Sequence, residues 1–474
     1  MRPPLNVRNP RTGEIDYAIT PPTALEVACR AEAMVQAQKT WEERGLDYRI
    51  DVMKRWADAV DAGAEAIAAA LAIDTGRFTL SRSEAHSVGR KVRRWCAQAP
   101  ALLETHESQS NIDGALAFRP QYMPYPLVGV ISPWNFPLSL SLIDALPALL
   151  AGCAVMVKPS ELTPRFIEPL KATIAQVPEL AAVFDIIPGD GETGAEIVEN
   201  VNMLCFTGSV RTGRQVGEMA ARRFIPAFLE LGGKDPAIVL ASADLDRASD
   251  AVLRQGMVNS GQVCLSTERV YVDRKVFEPF VELLTQKAEA LQINASDPVK
   301  GHLGPIISAA QSKTITKHLE DARARGAAIR CGGMIVNRGG DWLPATVVTG
   351  VDHSMLLMRE ETFGPILPVM AFDSVDEAVE LANDSIYGLS AAVFAGDEEE
   401  AFAVARRLEA GAVSINDAGL QSVTTEAEKT SFKQSGLGGS RMGGAGLLRF
   451  MRKKALMIQR GKPRSMDVFL EQPL

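Results

Sequence analysis

From Leu127 onward, short apolar runs alternate with helical segments, and this alternation constrains the fold more than any other feature of the chain. The runs LVGVI (127–131), AVMVK (154–158), AVFDII (182–187), MLCF (203–206) and AFLEL (227–231) are too short and too uniformly apolar to be half-exposed antiparallel strands. Between them lie helical stretches such as 138–150, and one opened by Thr163-Pro164 and running to about residue 177. Strands that are apolar on both faces, joined by helices, imply a parallel, doubly wound sheet covered on both sides. The pattern resumes after residue 232. A strand at 237–240, a helix at 244–259, a strand at 269–273 and helices at 275–291 and 308–325 lead into further units that reach about Asn416. The expectation is two α/β domains whose seam lies at Leu231-Gly232-Gly233, where paired glycines permit a hinge.

Three segments precede this pattern. Thr23 caps a first helix, a second runs from Asp47 to about Ile73 on a 3.6-residue apolar period, and a third runs from Ser81 to about Leu103. The basic run of the third (Arg90, Lys91, Arg93, Arg94) reads as a solvated face. Residues 105–126 lack helical periodicity and suit a hairpin, and the tail holds one strand-like run at 455–460. Both are candidates for an arm that docks on another subunit.

Composition narrows the function. The 474 residues sum to a formal charge of −8, which argues against wrapping nucleic acid. Cys29, Cys96, Cys153, Cys205, Cys264 and Cys331 form no CxxC pair, and the five histidines are equally scattered, so no metal centre is expected. Scattered thiols and an N-terminus without an apolar core suit a cytoplasmic protein. The apolar stretch 138–157 is broken by Asp144, Pro147 and Gly152 and is too short to span a bilayer, so no membrane partner is expected.

Three residues stand out chemically. Cys264 lies in a loop between helix and strand with Gly261 close by, whereas the other five cysteines sit in apolar or helical runs that suggest core positions. Glu230 places a carboxylate inside an apolar strand just before Gly232-Gly233, and partial burial there suits a general base. Asn135 follows a strand directly, where a side-chain amide can donate into a crevice. Gly189-Asp-Gly191-Glu-Thr-Gly194 matches the dinucleotide-binding GxGxxG pattern, but no acidic ribose residue follows clearly, and it reads as a strand-to-helix turn.

Six motifs occur together and in order: Pro133-Trp-Asn-Phe-Pro137, Lys158-Pro-Ser-Glu161, Phe206-Thr-Gly-Ser209, Leu229-Glu-Leu-Gly-Gly-Lys234, Gly261-Gln-Val-Cys264 and Glu360-Glu-Thr-Phe-Gly-Pro365. In this the chain resembles the NAD(P)-dependent aldehyde dehydrogenase superfamily, from about residue 5 to about 460. The resemblance implies two doubly wound parallel-sheet domains plus a small β oligomerisation arm. Residues 1–105 and 125–232 would bind the coenzyme, 233–450 would be catalytic, and 106–124 with 451–474 would form the arm of a homodimer or homotetramer.

The resemblance also implies roles. Cys264 would be the nucleophile, Asn135 the oxyanion donor and Glu230 the base that activates water against a thioester. Trp134, Lys158, Ser160, Glu161, Gly208, Ser209, Glu361 and Phe363 would hold NAD. Glu161 at the adenine ribose favours NAD, with NADP possible. Phe136, Ser139, Ile143, Val263, Leu265 and Phe432 would line the aldehyde tunnel.

That lining is apolar, and Cys264-Leu-Ser-Thr-Glu-Arg269 is similar to the run in vanillin- and salicylaldehyde-type dehydrogenases. An aromatic aldehyde is therefore the leading expectation, ahead of medium-chain aliphatic aldehydes and semialdehydes. The C-terminal part departs from the common family pattern. Ser431-Phe-Lys-Gln-Ser-Gly436 lacks a Gly-Gly pair, the segment 416–432 is long, and Ser440-Arg441 stand where a glutamate is frequent.

Overall fold

The computed structural model describes residues 2–471, so Met1 and the last three residues of the expected arm lie outside it. Two sheets carry the molecule. The first has the strand order Gly436–Leu437, Ala227–Glu230, Met203–Thr207, Leu127–Ile131, Ala154–Lys158, Phe184–Ile186. Its strands are parallel except for Gly436–Leu437, which closes one edge antiparallel to Ala227–Glu230. The second has seven strands, with Asp235–Val239 and Thr267–Asp273 at its centre. Every pairing in it is parallel except that of Ala328–Cys331 with Thr346–Thr349.

The chain passes from one sheet to the other at Leu231–Lys234. The carboxyl end of Ala227–Glu230 therefore feeds the amino end of Asp235–Val239. In the first sheet the strand order reverses about Leu127–Ile131: the chain lays Ala154–Lys158 and Phe184–Ile186 on one side of it, then crosses back to lay Met203–Thr207 and Ala227–Glu230 on the other. Such a reversal leaves a crevice at the carboxyl ends of the strands, where ligands of doubly wound sheets bind.

Helices Ala24–Glu43, Gly45–Thr75 and Phe78–Leu103 cover the first sheet together with Pro137–Ala151 and form one core with it. Thr23 and Glu26 close a reciprocal capping box at the start of the first helix. Gly76 ends the second in the left-handed conformation at φ 67°. The third sheet joins Ser108–Gln109, Leu116–Pro124 and Met451–Gln459. Met451–Gln459 runs antiparallel to Leu116–Pro124 from the pair Met451↔Pro124 to the pair Gln459↔Leu116.

Several sequence expectations need correction. The helix expected from Thr163 begins at Ile167, because buried Thr163 turns its hydroxyl to the Trp134 carbonyl at 3.3 Å instead of capping. The helix expected to reach residue 259 stops at Met257, because Asn259, Ser260 and Gly261 turn left-handed. Gly232-Gly233 is packed rather than free to hinge, since a Cβ on Gly233 would overlap the Cys264 carbonyl. Cys29 is exposed and Cys331 half-buried, so only three of the five remaining cysteines are core residues. The basic run is not wholly solvated, because Lys91 turns inward to Ser139.

Among the described residues, no helix is long and apolar enough to cross a membrane, and no group of three His, Cys, Asp or Glu is placed to hold a metal ion. Trp56 is fully buried, meets Phe184 edge-on at 5.6 Å and donates to Thr173 Oγ1 at 3.1 Å. Replacing Trp56 with Ala should cost about 3–5 kcal/mol and lower the urea midpoint of unfolding, since the lost ring leaves a cavity.

Candidate functional site

The crevice lies between the carboxyl ends of the first sheet and the amino ends of the second, and each motif enters it from an element end. Trp134 and Asn135 follow strand Leu127–Ile131, Gly208 and Ser209 follow Met203–Thr207, and Glu230 closes Ala227–Glu230. Cys264 precedes Thr267–Asp273 and Glu361 precedes Ile366–Phe372.

The Cys264 loop is built on an unusual backbone. Asn259, Ser260 and Gly261 have φ values of 54°, 55° and 70°. A left-handed residue other than glycine costs roughly 1–2 kcal/mol, and local hydrogen bonds offset that here. Asn259 Nδ2 donates to the carbonyls of Asn135 (3.1 Å) and Gln262 (3.0 Å), and Ser260 Oγ donates to Gly304 at 2.9 Å. Gly261 has a second reason to be glycine, because a Cβ there would overlap the Gly364 carbonyl. Buried Gln262 ties the loop down further, donating to Asn259 and Pro305 and accepting from the Ile307 N–H at 2.9 Å.

Asn135 is fixed by the same loop. Its Nδ2 donates to the Gln262 carbonyl at 3.0 Å, which sets the amide plane and leaves a second N–H for an oxyanion. The Cys264 N–H donates to no group among the described residues. Cys264 itself is half-buried. Burial, helped by the negative potential of Glu361, Asp235 and Glu230, pushes its thiol up to about 12. Glu230 is half-buried, with Ser431 Oγ donating to Oε2 at 3.3 Å and Arg441 Nε at 3.9 Å from Oε1.

The cofactor candidates fall into two groups. Buried Lys158 donates to the Gly189 carbonyl at 3.0 Å and lies 3.5 Å from Glu161 Oε2. The Glu161 side chain stays 41% exposed, so an acceptor edge remains for ribose hydroxyls. Ser160 is buried nearby in sequence, its Oγ accepting from the Leu162 N–H. Exposed Ser209 caps helix Val210–Arg222 through the Thr212 N–H, beside half-buried Gly208, and a helix start of this kind suits a pyrophosphate.

On the other wall, Glu361 Oε1 accepts from the Gly233 N–H at 3.0 Å, and Phe363 meets Trp134 edge-on at 5.4 Å. Burial, then the neighbouring Glu268, raises the Glu361 carboxyl to about 8. The residues present thus fit a dinucleotide: Glu161 and Glu361 offer carboxylate acceptors and helix Val210–Arg222 an open N-terminus. The 189–194 run plays a different part: Asp190 caps helix Gly191–Asn200 and binds Arg2, so that helix start is already satisfied.

Sequence reasoning missed the supports. Glu268, fully buried, pairs with Lys234 at 2.6 Å and accepts from the Thr362 and Phe363 N–H groups, both at 2.7 Å, thereby shaping the Glu361 loop. Its signal was a charged residue inside a buried strand. Arg77 donates to the Asn135 carbonyl at 2.9 Å and lies over the Phe136 ring.

The tunnel candidates Phe136, Ser139 and Ile143 fall on one half-buried stripe of Pro137–Ala151 and its cap, with Val263 and Leu265 half-buried beside Cys264. Glu84 accepts from the Ser139 N–H at 2.9 Å, and Lys91 Nζ donates to Ser139 Oγ at 3.2 Å. Phe432 lies apart, 43% exposed in a two-residue strand against Tyr387–Gly388; its neighbour Ser431 is the residue that turns to Glu230.

A thiol held near 12 is neutral at about pH 7, so alkylation of Cys264 in the free protein should rise about tenfold per pH unit up to about pH 10 without a plateau. Mass spectrometry of iodoacetamide-treated protein measures this; a plateau near pH 7 would contradict the desolvated thiol.

Comparison with known proteins agrees with this geometry. The profile of the Aldehyde dehydrogenase family matches residues 2–456. A Mycolicibacterium smegmatis protein named as an NADP(+) succinate-semialdehyde dehydrogenase is 36% identical over 442 residues, 92% of this chain and 85% of that one. The 4,4'-diapolycopene aldehyde oxidase of a Methylomonas species is 42% identical over 74% of this chain and 66% of its own length. Among solved structures, the aldehyde dehydrogenase PutA of Anabaena variabilis superposes with a TM-score of 0.96 at 52% identity, covering 98% of this chain and 99% of that one. The chain belongs to the aldehyde dehydrogenase family and is an NAD(P)-dependent oxidoreductase.

Proposed function

We propose that this enzyme oxidises an aldehyde carrying a second, anionic end, a semialdehyde, to the corresponding acid. The observation that carries the substrate class is Lys91. Its ammonium reaches Ser139 on the half-buried stripe expected to line the tunnel, and Arg94, one turn further along the same helix, keeps a buried Nε without a partner. The M. smegmatis relative is named for such a substrate. A second reading, an aromatic or other apolar aldehyde, is favoured by Phe136, Ile143, Val263 and Leu265 on the same walls. Exposed Phe118, Leu456 and Met457 on the third sheet suit the homo-oligomer that the resemblance implies.

The chemistry follows from the site. Cys264 Sγ attacks the aldehyde carbon as the thiolate, the thiol proton having passed to solvent water. The oxyanion is received by the free Asn135 amide N–H and the Cys264 N–H; each such donor is worth about 2.7–4 kcal/mol of barrier. Lys158, Glu161, Ser209 and Glu361 would hold the dinucleotide, which when bound would supply the hydride acceptor. Loss of hydride from the thiohemiacetal leaves a thioester on Cys264. Glu230 then takes a proton from water as the water oxygen joins the acyl carbon and Sγ departs.

Cys264→Ala should reduce NAD(P)H formation to background while cofactor binding persists, and Glu230→Gln should leave an acyl adduct on Cys264 in the intact mass. A normal rate in Cys264→Ala would remove the nucleophile assignment. For the substrate, kcat/KM measured with succinic semialdehyde, benzaldehyde and octanal should favour the semialdehyde. Lys91→Met should cut the semialdehyde value about tenfold or more and leave benzaldehyde nearly unchanged. A preference for benzaldehyde that Lys91→Met does not alter would replace this reading with the aromatic one.

A further inference from the structure

A buried charge cluster stands behind Glu230. Asp144, 1% exposed within helix Pro137–Ala151, receives Arg441 Nη2 at 3.0 Å and is also paired with Arg449. Arg441 Nη2 donates as well to Thr207 Oγ1 at 2.8 Å. Thr207 is the register partner of Glu230 on the adjacent strand. The Arg441 side chain is 9% exposed, and its Nε is buried without a hydrogen-bond partner, 3.9 Å from Glu230 Oε1. Arg449, the other cation on Asp144, also lays its guanidinium over the rings of Phe228 and Phe450 at 5.0 and 4.9 Å.

Two buried guanidinium groups facing one carboxylate would leave an uncompensated cation, which is costly in a dry site. Glu230 supplies the second negative charge. Arg441 thus presents Nη2 to Asp144 and Thr207 and its unpartnered Nε toward the base. Ser431 donates to the other carboxylate oxygen at 3.3 Å, so a hydrogen bond acts on one oxygen of Glu230 and an ion-pair contact on the other.

We propose that Arg441, braced by Asp144, is a positioning residue for Glu230 in thioester hydrolysis. The inference rests on the reading of Glu230 as the base. In that step the water oxygen bonds to the acyl carbon, the C–Sγ bond breaks with its electron pair going to Sγ, and Glu230 accepts the water proton and later releases it to solvent. Arg441 makes no bond to the acyl group. It keeps the carboxylate aimed while the proton arrives, and a neutral side chain in its place would let Glu230 swing away.

The experiment is pre-steady-state kinetics on the full-length enzyme with a semialdehyde and with benzaldehyde, followed by intact mass. Arg441→Met should retain the first-turnover burst of NAD(P)H, lower kcat about 10- to 100-fold and accumulate acyl-enzyme on Cys264. Arg441→Lys should restore much of kcat, as should free guanidinium added to Arg441→Gly. Asp144→Asn, which removes the brace and keeps the arginine, should accumulate the adduct to a smaller degree. A purely structural clamp predicts instead that burst and steady state fall together, with no adduct and no rescue; that result overturns the proposal.

If Arg441→Met does not fold, Asp144→Asn and Arg441→Lys decide it: unchanged deacylation in Asp144→Asn with lost deacylation in Arg441→Lys contradicts an ionic brace. Glu230→Gln is the control. If it fails to accumulate the adduct, the reading of the base is wrong; if it does and Arg441→Met does not, only this inference falls.

Discussion

The site depends on two places where backbone touches backbone. Gly261 lies against the Gly364 carbonyl, and Gly233 lies against the Cys264 carbonyl. Three segments distant in sequence, the turn after Glu230, the Cys264 loop and the Glu361 loop, are thereby held at a separation that no side chain permits. Dispersion and hydrogen bonding between main chains then set the positions of Cys264, Glu230 and Glu361 together. The left-handed run at Asn259–Gly261 is the local cost of that packing, and bonds from Asn259, Ser260 and Gln262 offset it.

Electrostatics follows from the same packing. Bringing these loops together gathers Glu361, Asp235 and Glu230 around one thiol, and Lys429 answers only part of that charge. The free site is therefore hostile to a thiolate and receptive to positive charge. That polarity suits a nucleophile that should react only when the crevice is filled. Burial in the same packing, then Glu268, raises the Glu361 carboxyl to about 8.

What could be read from the sequence followed the strength of local signals. The buried strand Ala154–Lys158 was placed to the residue, because a β-branched run bounded by turns leaves little choice. Cys264 stands out by its loop position, Glu230 as a carboxylate inside an apolar strand, and Asn135 as an amide directly after a strand. Thr163 was misread because a Thr-Pro pair looks the same whether its hydroxyl caps a helix or reaches across to Trp134. Lys91 was misread because helical periodicity shows which residues share a face, not which neighbour later covers it. Asn259 and Ser260 gave no warning of left-handed backbone, since only the contact of Gly261 with Gly364 requires it.

The segment after residue 430 was the least legible, and it closes the site. Without Gly436–Leu437, strand Ala227–Glu230 would be an open edge and Glu230 would face water on one side. The returning chain pairs with that edge, sets Ser431 on one oxygen of Glu230 and Arg441 near the other, and buries Leu447 and Phe450 in the core of the first sheet. Its departure from the usual family pattern is therefore not a loose end at the tunnel mouth. Arg441 meets an aspartate, Asp144, buried in helix Pro137–Ala151. A buried cation there is tolerable because an anion is buried opposite it, so removing either charge leaves its partner uncompensated.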